Sequence, residues 1–311
     1  MGKLLGICVS EKKGTEKHLI QEADLVEDFG IQGDAHAGKW HRQVSLLSNE
    51  KIEAFKARGA EVLPGAFGEN LIIEGYDFRS LPVGTRFQIG DALLEMTQIG
   101  KECHTHCRIY HKMGECIMPT QGVFTKVLKG GHIRMGDEVT MIEKDENAPF
   151  RVAVVTLSDK GSKGEREDLS GPAIVEMVTE FGYEVVETVL IPDDQKRIET
   201  ELIRLADGRQ VDLILTTGGT GFAKRDVTPE ATLNVATRLA PGIAEAMRML
   251  SMKYTKRAML SRAVSVLRNE TLIINMPGSP KAVRECLEEI LDSVDHGLKI
   301  LKAKDSECAR S

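Results

Sequence analysis

The stretch TTGGTG at residues 216–221 directly follows the apolar run VDLIL, so a turn with three glycines opens where a strand is expected to end. Glycines carry no Cβ; they let backbone N–H groups close on an anion and permit left-handed dihedrals. Five residues on, Asp226 stands two positions before Thr228, the expected N-cap of the helix that TPEAT begins. Its carboxylate is poorly placed as the cap and is left to hold magnesium or a water. Upstream, PDDQ offers Asp193 and Asp194, one as the N-cap of a helix over 195–206 and the other as an oxygen ligand for a metal. A magnesium ion that bridges phosphate oxygens asks for only one or two protein carboxylates and keeps water at its other positions. These residue types at these spacings predict a site for a polyphosphate and its metal.

Three further helix starts share this character: DLSGP (168–172), PDDQ (192–195) and GSPKA (278–282), the last with Ser279 as cap and Pro280 behind it. Each helix start offers unpaired N–H groups and a partial positive charge, worth ~0.3–1 kcal/mol per nearby anion at a surface. Several of them converging would hold a polyphosphate.

A rival phosphate loop, GDAHAGKW (33–40), fails on two counts. Trp40 stands where a magnesium-binding Ser or Thr is required, and HRQVSLL after it reads as a strand rather than a helix. The helix signal begins only at SNEKIEAFKARG, with Ser48 as N-cap and Gly59 as stop. GDAHAGK is therefore expected to be a turn between strands. CHTHCRIYHKMGEC (103–116) packs three cysteines and three histidines into fourteen residues. Cys103 and Cys107 with His111 or Cys116 would make a tetrahedral zinc site, although the second pair is loose; otherwise these are scattered thiols.

With 311 residues the chain is long enough for two domains with their own cores. A net charge of -6 with 5% aromatic residues argues against a nucleic-acid groove. The opening MGKLLGICVSEKKG has too short an apolar run for a signal-peptide core, and no later run reaches a membrane-spanning length, so a cytoplasmic protein with no membrane partner is expected. Its six cysteines are then expected to be reduced.

The elements that must position these residues change character along the chain. Up to residue 142, KLLGICVS, FGENLIIEG, GTRFQIGDALLEMTQ and VFTKVLKGGHIRMGDEVTMIE are short strands between glycine turns, which predicts a mostly β domain with one inserted helix at 49–58. EKDENAP (143–149), charged and proline-ended, is the expected linker. From 150 to 311, RVAVVTLS, YEVVETVLIP and VDLILTTGG alternate with the amphipathic helices GPAIVEMVTEFG, DDQKRIETELIRLADG and TPEATLNVATRLA, the pattern of βαβ units on a mainly parallel sheet. In such a sheet ligands bind beyond the carboxyl ends of the strands.

VVTLSDKGSKGEREDLSGP (154–172), TTGGTGFAKRDVTPEAT (216–232) and INMPGSPKAVRECLE (274–288) together resemble the molybdopterin adenylyltransferase family of molybdenum-cofactor synthesis, over about 150–305. The resemblance implies a three-layer α/β fold that transfers AMP from Mg-ATP to the terminal phosphate of molybdopterin, ahead of insertion of molybdenum or tungsten. It makes Asp193 and Asp226 the catalytic, Mg²⁺-organising acids and Gly218, Gly219, Thr220 and Gly221 the pyrophosphate loop. Ser158, Asp159, Ser170, Gly171 and Thr228 line the same pocket, and Pro277, Gly278, Ser279 and Lys281 complete it. Met276 stands where the family commonly has leucine, an exchange of small consequence. A homo-oligomer, with a trimer as one form, and other cofactor-synthesis proteins are the implied partners.

GDAHAG with RQVSLL (33–47), GAFGENL (65–71) and VGTRFQIGDALLEMTQ (83–98) resemble a MOSC domain, over about 1–142, with a barrel-like β fold implied. The resemblance assigns the function of that half to Cys103, by its spacing from Thr97-Gln98. Lys101, His104 and His106 would lower its thiol pKa, and a persulfide or a molybdenum–thiolate bond suits a soft sulfur donor. His36 and His41, near Arg42, are candidates for the same pocket. The expected protein is a two-domain enzyme of molybdenum-cofactor synthesis that adenylates molybdopterin, with a pterin- or sulfur-handling domain in front. Two rivals stand beside it: a catalytically idle molybdopterin carrier, and a cysteine-dependent sulfur transferase whose α/β half docks substrate.

Overall fold

A computed structural model describes residues 1–101, 110 and 113–303. It divides into two compact units, Met1–Glu146 and Asn147–Ser311. Cys103, Cys107, His104, His106 and His111 lie outside the described residues.

Among the described residues of the first unit, the strands are β1 (Gly2–Val9), β2 (His18–Ile20), β3 (Glu22–Val26), β4 (Gly30–Ile31), β5 (Val44–Ser48), β6 (Leu71–Glu74), β7 (Arg86–Ile89), β8 (Ala92–Ile99), β9 (Val123–Lys129), β10 (Gly131–Arg134) and β11 (Glu138–Ile142). Strands β11-β7-β8-β9-β5-β6-β1 hydrogen-bond in that order, and β11 pairs back onto β1 at Gly2↔Val139, which closes a barrel. Closure leaves these strands without a free edge. Alternate residues point inward, as Phe87 and Ile89 do on β7, and they pack with Leu4, Leu46, Ile73, Leu94 and Val123 in a dry interior. Each fully buried side chain of this size contributes ~1.5–3 kcal/mol.

Helix α1 (Asn49–Lys56) lays Ile52 and Phe55 on Leu47, Ile72 and Phe124. Ser48 occupies the N-cap position, but its hydroxyl donates to the Glu50 carboxylate at 2.7 Å rather than capping an N–H. GDAHAGK forms turns between β4 and β5, with Lys39 exposed and no helix behind it.

The second unit runs β12 (Arg151–Leu157), α2 (Ser170–Glu180), β13 (Glu184–Ile191), α3 (Gln195–Ile203), β14 (Leu213–Thr217), α4 (Thr228–Asn234), β15 (Arg238–Leu239), α5 (Pro241–Ser251), β16 (Ser265–Arg268), β17 (Thr271–Met276) and α6 (Pro280–Leu301). The sheet order is β13-β12-β14-β17-β16-β15. The first four strands are parallel, whereas β16 and β15 join antiparallel, so the sheet is mixed and the expectation of a mainly parallel sheet holds only for those four. The departure arises at a tight turn after Arg268, where Asn269 takes φ +52° and folds β16 back on β17.

Both faces of the parallel strands are covered, which explains their near-continuous apolar sequence. Val152, Val154, Leu213, Leu215 and Ile274 face α2, α5 and α6, while Ala153, Val155, Ile214 and Ile273 face α3 and α4. The result is a three-layer sandwich.

Helix α4 is shorter than the sequence pattern predicts. It stops at Asn234 because Thr237 and Ala240 donate to Leu267 and Ser265 carbonyls, drawing the chain into β15. Helix α3 passes into a π-helical turn over Arg204–Gly208. No helix among the described residues is long and apolar enough to cross a membrane.

Candidate functional site

The loops after β12, β13, β14 and β17 leave the same edge of the sheet and surround a cavity of about 300 Å³. Ser158, Ser170, Asp193, Gly218, Gly219, Asp226 and Gly278 line it, together with Thr156, Asp168 and Thr217. The register explains the convergence. Thr156↔Thr217 and Thr217↔Met276 are partners across β12, β14 and β17, so the three chains leave the sheet level with one another.

The glycine loop needs its glycines. Gly218 has φ +103° and Gly219 φ +63°. A Cβ on Gly218 would collide with the Leu157 carbonyl, and one on Gly219 would meet the Thr228 hydroxyl and, at 3.0 Å, Asp193 Oδ1. That bare backbone lets the Asp193 carboxylate reach the loop. The N–H groups of Gly219, Thr220 and Gly221 donate to no carbonyl or side chain among the described residues, as a cradle for an anion requires.

Thr228 corrects a cap assignment. It is the first residue of α4, with Val227 at the N-cap position, and its buried hydroxyl donates to the Gly218 carbonyl at 3.0 Å. The threonine ties the loop down instead of capping the helix. Thr217 does the same for the next loop by donating to Pro277 O at 2.7 Å, and Ser170 by donating to Gly278 O at 3.0 Å.

The two acids are held alike. Asp193 Oδ2 accepts the Asp159 N–H at 3.0 Å, and Asp226 Oδ2 accepts the Ala223 N–H at 2.8 Å. Asp226 is thus not wholly free, as its place in the sequence suggests, because a local turn takes one oxygen. In each case Oδ1 accepts no hydrogen bond among the described residues. Each carboxylate is therefore fixed through one oxygen and offers the other. Asp194, not Asp193, caps α3 by accepting the Arg197 N–H at 2.9 Å.

Burial pushes the Asp193 carboxyl up, with the neighbouring Asp159 and Asp226 charges adding to it. Asp159 is the reverse. A two-pronged hydrogen bond from Arg225, at 2.9 and 2.6 Å, holds it below the ordinary carboxylate range.

Several expected residues sit beside the cavity rather than in its wall. Thr220, Gly221 and Pro277 face a neighbouring, mostly apolar cavity, also about 300 Å³, lined by Met247, Leu260 and Cys286. Ser279 caps α6 by accepting the Ala282 N–H at 3.2 Å, and exposed Lys281 turns toward Glu285. Gly171 and Ser170 give their N–H groups to Asp168 Oδ1, both at 3.0 Å, so that pair of α2 donors already has its anion.

Sequence reasoning passed over Asp168, Arg225 and Arg262. DLSGP contains an acid ahead of a helix start, which was the available signal for Asp168. Arg225 adjoins Asp226. Arg262, about forty residues from the loop it holds, gives no local signal.

In the barrel unit a buried polar group stands under the GDAHAG turn. Lys17 Nζ lies 2.6 Å from Asp34 Oδ1, both side chains being only 1% exposed. Burial pushes the Asp34 carboxyl up, but the hydrogen bonds from Lys17 and the Ser10 N–H outweigh it and hold it below its usual value. His36 adds its N–H to Asp34 at 3.2 Å. Glu69 is buried and accepts the N–H groups of Gly65 and Phe67.

At the end of β8, Gln98 Oε1 lies 2.9 Å from His41 Nε2, and Thr97 donates to the His41 and Phe124 carbonyls. The Arg42 guanidinium stacks over Trp40. The chain that leads to Cys103 thus departs from a strand end braced by His41. No cluster of three or more His, Cys, Asp or Glu suited to a metal occurs among the described residues; the zinc candidates Cys103, Cys107 and His111 lie outside them.

Comparison with known proteins agrees with this division. Residues 153–296 match the family model described as a probable molybdopterin binding domain, and residues 33–140 match the MOSC domain. A molybdopterin adenylyltransferase of Helicobacter pylori strain J99 is 45% identical over 159 residues, covering 49% of this chain and 88% of that protein. The Escherichia coli K12 molybdopterin adenylyltransferase is 46% identical over 156 residues, covering 48% and 80%. The crystal structure of the molybdopterin biosynthesis enzyme MoaB from Thermus thermophilus is 46% identical, covers 51% of this chain and 99% of that one, and superposes with a TM-score of 0.48.

Proposed function

The chain belongs to the molybdopterin adenylyltransferase family of molybdenum-cofactor biosynthesis, with a MOSC domain in front, and from that premise we propose that its α/β unit transfers AMP from ATP to the terminal phosphate of molybdopterin. An oxygen of that phosphate attacks the α-phosphorus as the bond to the β-phosphate breaks and pyrophosphate leaves. The observation that carries the reading is the pair Asp193 and Asp226 in one cavity wall with Gly218 and Gly219, each anchored through one oxygen, with the other oxygen of Asp193 beside Gly219.

That donor set fits magnesium, which takes one or two carboxylates and completes its shell with water and phosphate oxygens. When bound there, the metal supplies charge neutralisation at the phosphates. The residues do the rest. The N–H group of Gly219, in the cavity wall, receives a phosphate oxygen, and Thr228, Thr217 and Ser170 fix the loops so that no donor need reorganise during the reaction.

For the barrel unit we propose a pterin- or sulfur-handling role with Cys103 as its thiol, supported by the MOSC match and by the braced Thr97-Gln98 strand end from which its spacing is counted. Molybdenum or tungsten as the metal finally inserted, a trimer as the assembly and other cofactor-synthesis proteins as partners belong to the same proposal.

The test is direct. Incubation of the full chain with Mg-ATP and molybdopterin should yield adenylated molybdopterin and an equal amount of pyrophosphate. Tight binding without pyrophosphate would make the protein a carrier, and cysteine-dependent sulfuration without ATP use would make it a sulfur transferase.

A further inference from the structure

Loop 220–226 follows directly on Gly219 and carries Asp226, yet it has no regular structure, and residues 222–225 are exposed. Something outside it must set its shape. Besides the exposed Arg225–Asp159 pair, the contacts on its two ends come from one residue on the approach to β16. The Arg262 N–H donates to Thr220 O at 2.9 Å, its Nε to Gly221 O at 2.7 Å, its Nη2 to Asp226 O and its Nη1 to the Glu230 carboxylate.

We propose that Arg262 is the positioning residue of the phosphate loop: by holding the carbonyls at both ends of 220–226 it fixes the loop that follows Gly219 and keeps the Asp226 carboxylate in the cavity wall. The inference rests on the adenylyltransferase reading of that cavity and goes beyond it, because Arg262 is not part of the cavity wall and acts only through the groups it holds.

Three features make this more than an ordinary surface ion pair. Two of the guanidinium's hydrogen bonds end on backbone carbonyls of the loop, which a charge pair alone would not require. A planar guanidinium directs its donors along fixed lines to several acceptors at once, whereas a lysine ammonium reaches one or two of them from a flexible stem. The clamp is itself held: Arg248 of α5 donates to Ala263 O at 2.7 Å, fixing the backbone just after Arg262. Glu230 completes it. Its second oxygen is buried with no partner among the described residues, so the carboxylate depends on Arg262 alone.

The experiment compares full-length Arg262→Gln, Arg262→Lys and Glu230→Gln with the parent chain by amide hydrogen exchange, melting temperature and adenylation rate against Mg²⁺ and molybdopterin concentration. In Arg262→Gln, exchange should quicken in peptides covering 219–227 but not in β12, β14 or β17. Its kcat should fall about 10–100-fold and its half-saturating Mg²⁺ rise about tenfold, while KM for molybdopterin stays within about threefold. Arg262→Lys should lie between, and Glu230→Gln, which leaves Nε and Nη2 in place, should lose about threefold at most.

Wild-type kcat and Mg²⁺ dependence in Arg262→Gln would overturn the proposal, as would faster exchange throughout the α/β unit with a matching fall in melting temperature. Should the parent chain itself make no adenylate, the adenylyltransferase reading fails, and the exchange pattern alone decides whether Arg262 sets the loop.

Discussion

Asp159 and Asp193 hold each other. The N–H of Asp159 donates to Asp193 Oδ2 at 3.0 Å, and the N–H of Asp193 donates to Asp159 Oδ1 at 3.2 Å. This reciprocal pair staples the loop after β12 to the loop after β13 and leaves Asp193 Oδ1 for the cavity. Two carboxylates this close repel, and Arg225 offsets that repulsion from the Asp159 side.

Asp193→Asn and Asp226→Asn should each cut adenylation by about a hundredfold or more, because each loses the charge that faces the phosphates while keeping an oxygen for its anchoring N–H. Pyrophosphate release against time measures this. The stability effect has a sign. Burial raises the folded Asp193 pKa above its unfolded value, so its proton is held more tightly in the folded state, and ionisation costs stability once pH passes the folded value. Asp193→Asn should therefore melt no lower than wild type at pH 7, and any advantage should vanish as pH falls below the unfolded carboxyl's range. Near-normal turnover in both variants would remove the two-acid mechanism.

Arg225→Ala should move the acid limb of the pH–rate profile to higher pH. Its positive charge favours the ionised form of Asp193, so losing it lets the already raised carboxyl rise further, and half-activity is reached at higher pH. Melting should change little, since the Arg225–Asp159 pair is 62% and 36% exposed and solvent screens such pairs. An acid limb that stays in place or moves down would contradict the assignment of Asp193 as the titrating acid.

The strands and the glycine loop were legible because their signals are local. VDLIL followed by TTGG states a buried strand and a turn within nine residues, and PDDQ places two acids at a helix start where one must cap. What escaped notice depends on partners far along the chain. Helix α4 looks longer in the sequence because VATRLA continues its apolar spacing, and only the β15–β16 pairing ends it. The β16–β17 hairpin turns at Arg268-Asn269-Glu270, which lacks the glycine that would advertise it. Thr228 reads as a cap by position, but its hydroxyl is taken by Gly218.

The barrel offers a stability contrast. Lys17→Met should cost about 3–5 kcal/mol, because Asp34 would be left charged and buried without its cation. A double variant, Lys17→Met with Asp34→Leu, should recover only part, since the N–H groups of Ser10 and His36 would lose their acceptor. Lys39→Ala, six residues past Gly33 in the same turn and exposed, should change stability by less than about 0.5 kcal/mol and leave ATP use intact. Denaturant titration of the full chain followed by barrel fluorescence at Trp40 measures the first two. A Lys17→Met midpoint equal to wild type would show that Asp34 finds another partner.

Alkylation at neutral pH should label Cys103 before the other thiols, because reactivity follows thiolate fraction and access. Two competitors are disabled by their surroundings. Cys8 is fully buried, and that burial, reinforced by the Glu69 charge, pushes its thiol up to about 12; burial likewise raises Cys286, on the core-facing side of α6. Neither should react until the chain unfolds. Cys116 is partly buried, which makes it the informative comparison with Cys103. Mass spectrometry after a short iodoacetamide pulse should find Cys103 modified first, and Cys103→Ser should abolish cofactor maturation by the MOSC unit while adenylation continues. Equal early labelling of Cys103 and Cys116 would remove the case for a single activated thiol, and stoichiometric zinc lost in Cys107→Ser or Cys116→Ser as well as Cys103→Ser would replace it with a structural metal site.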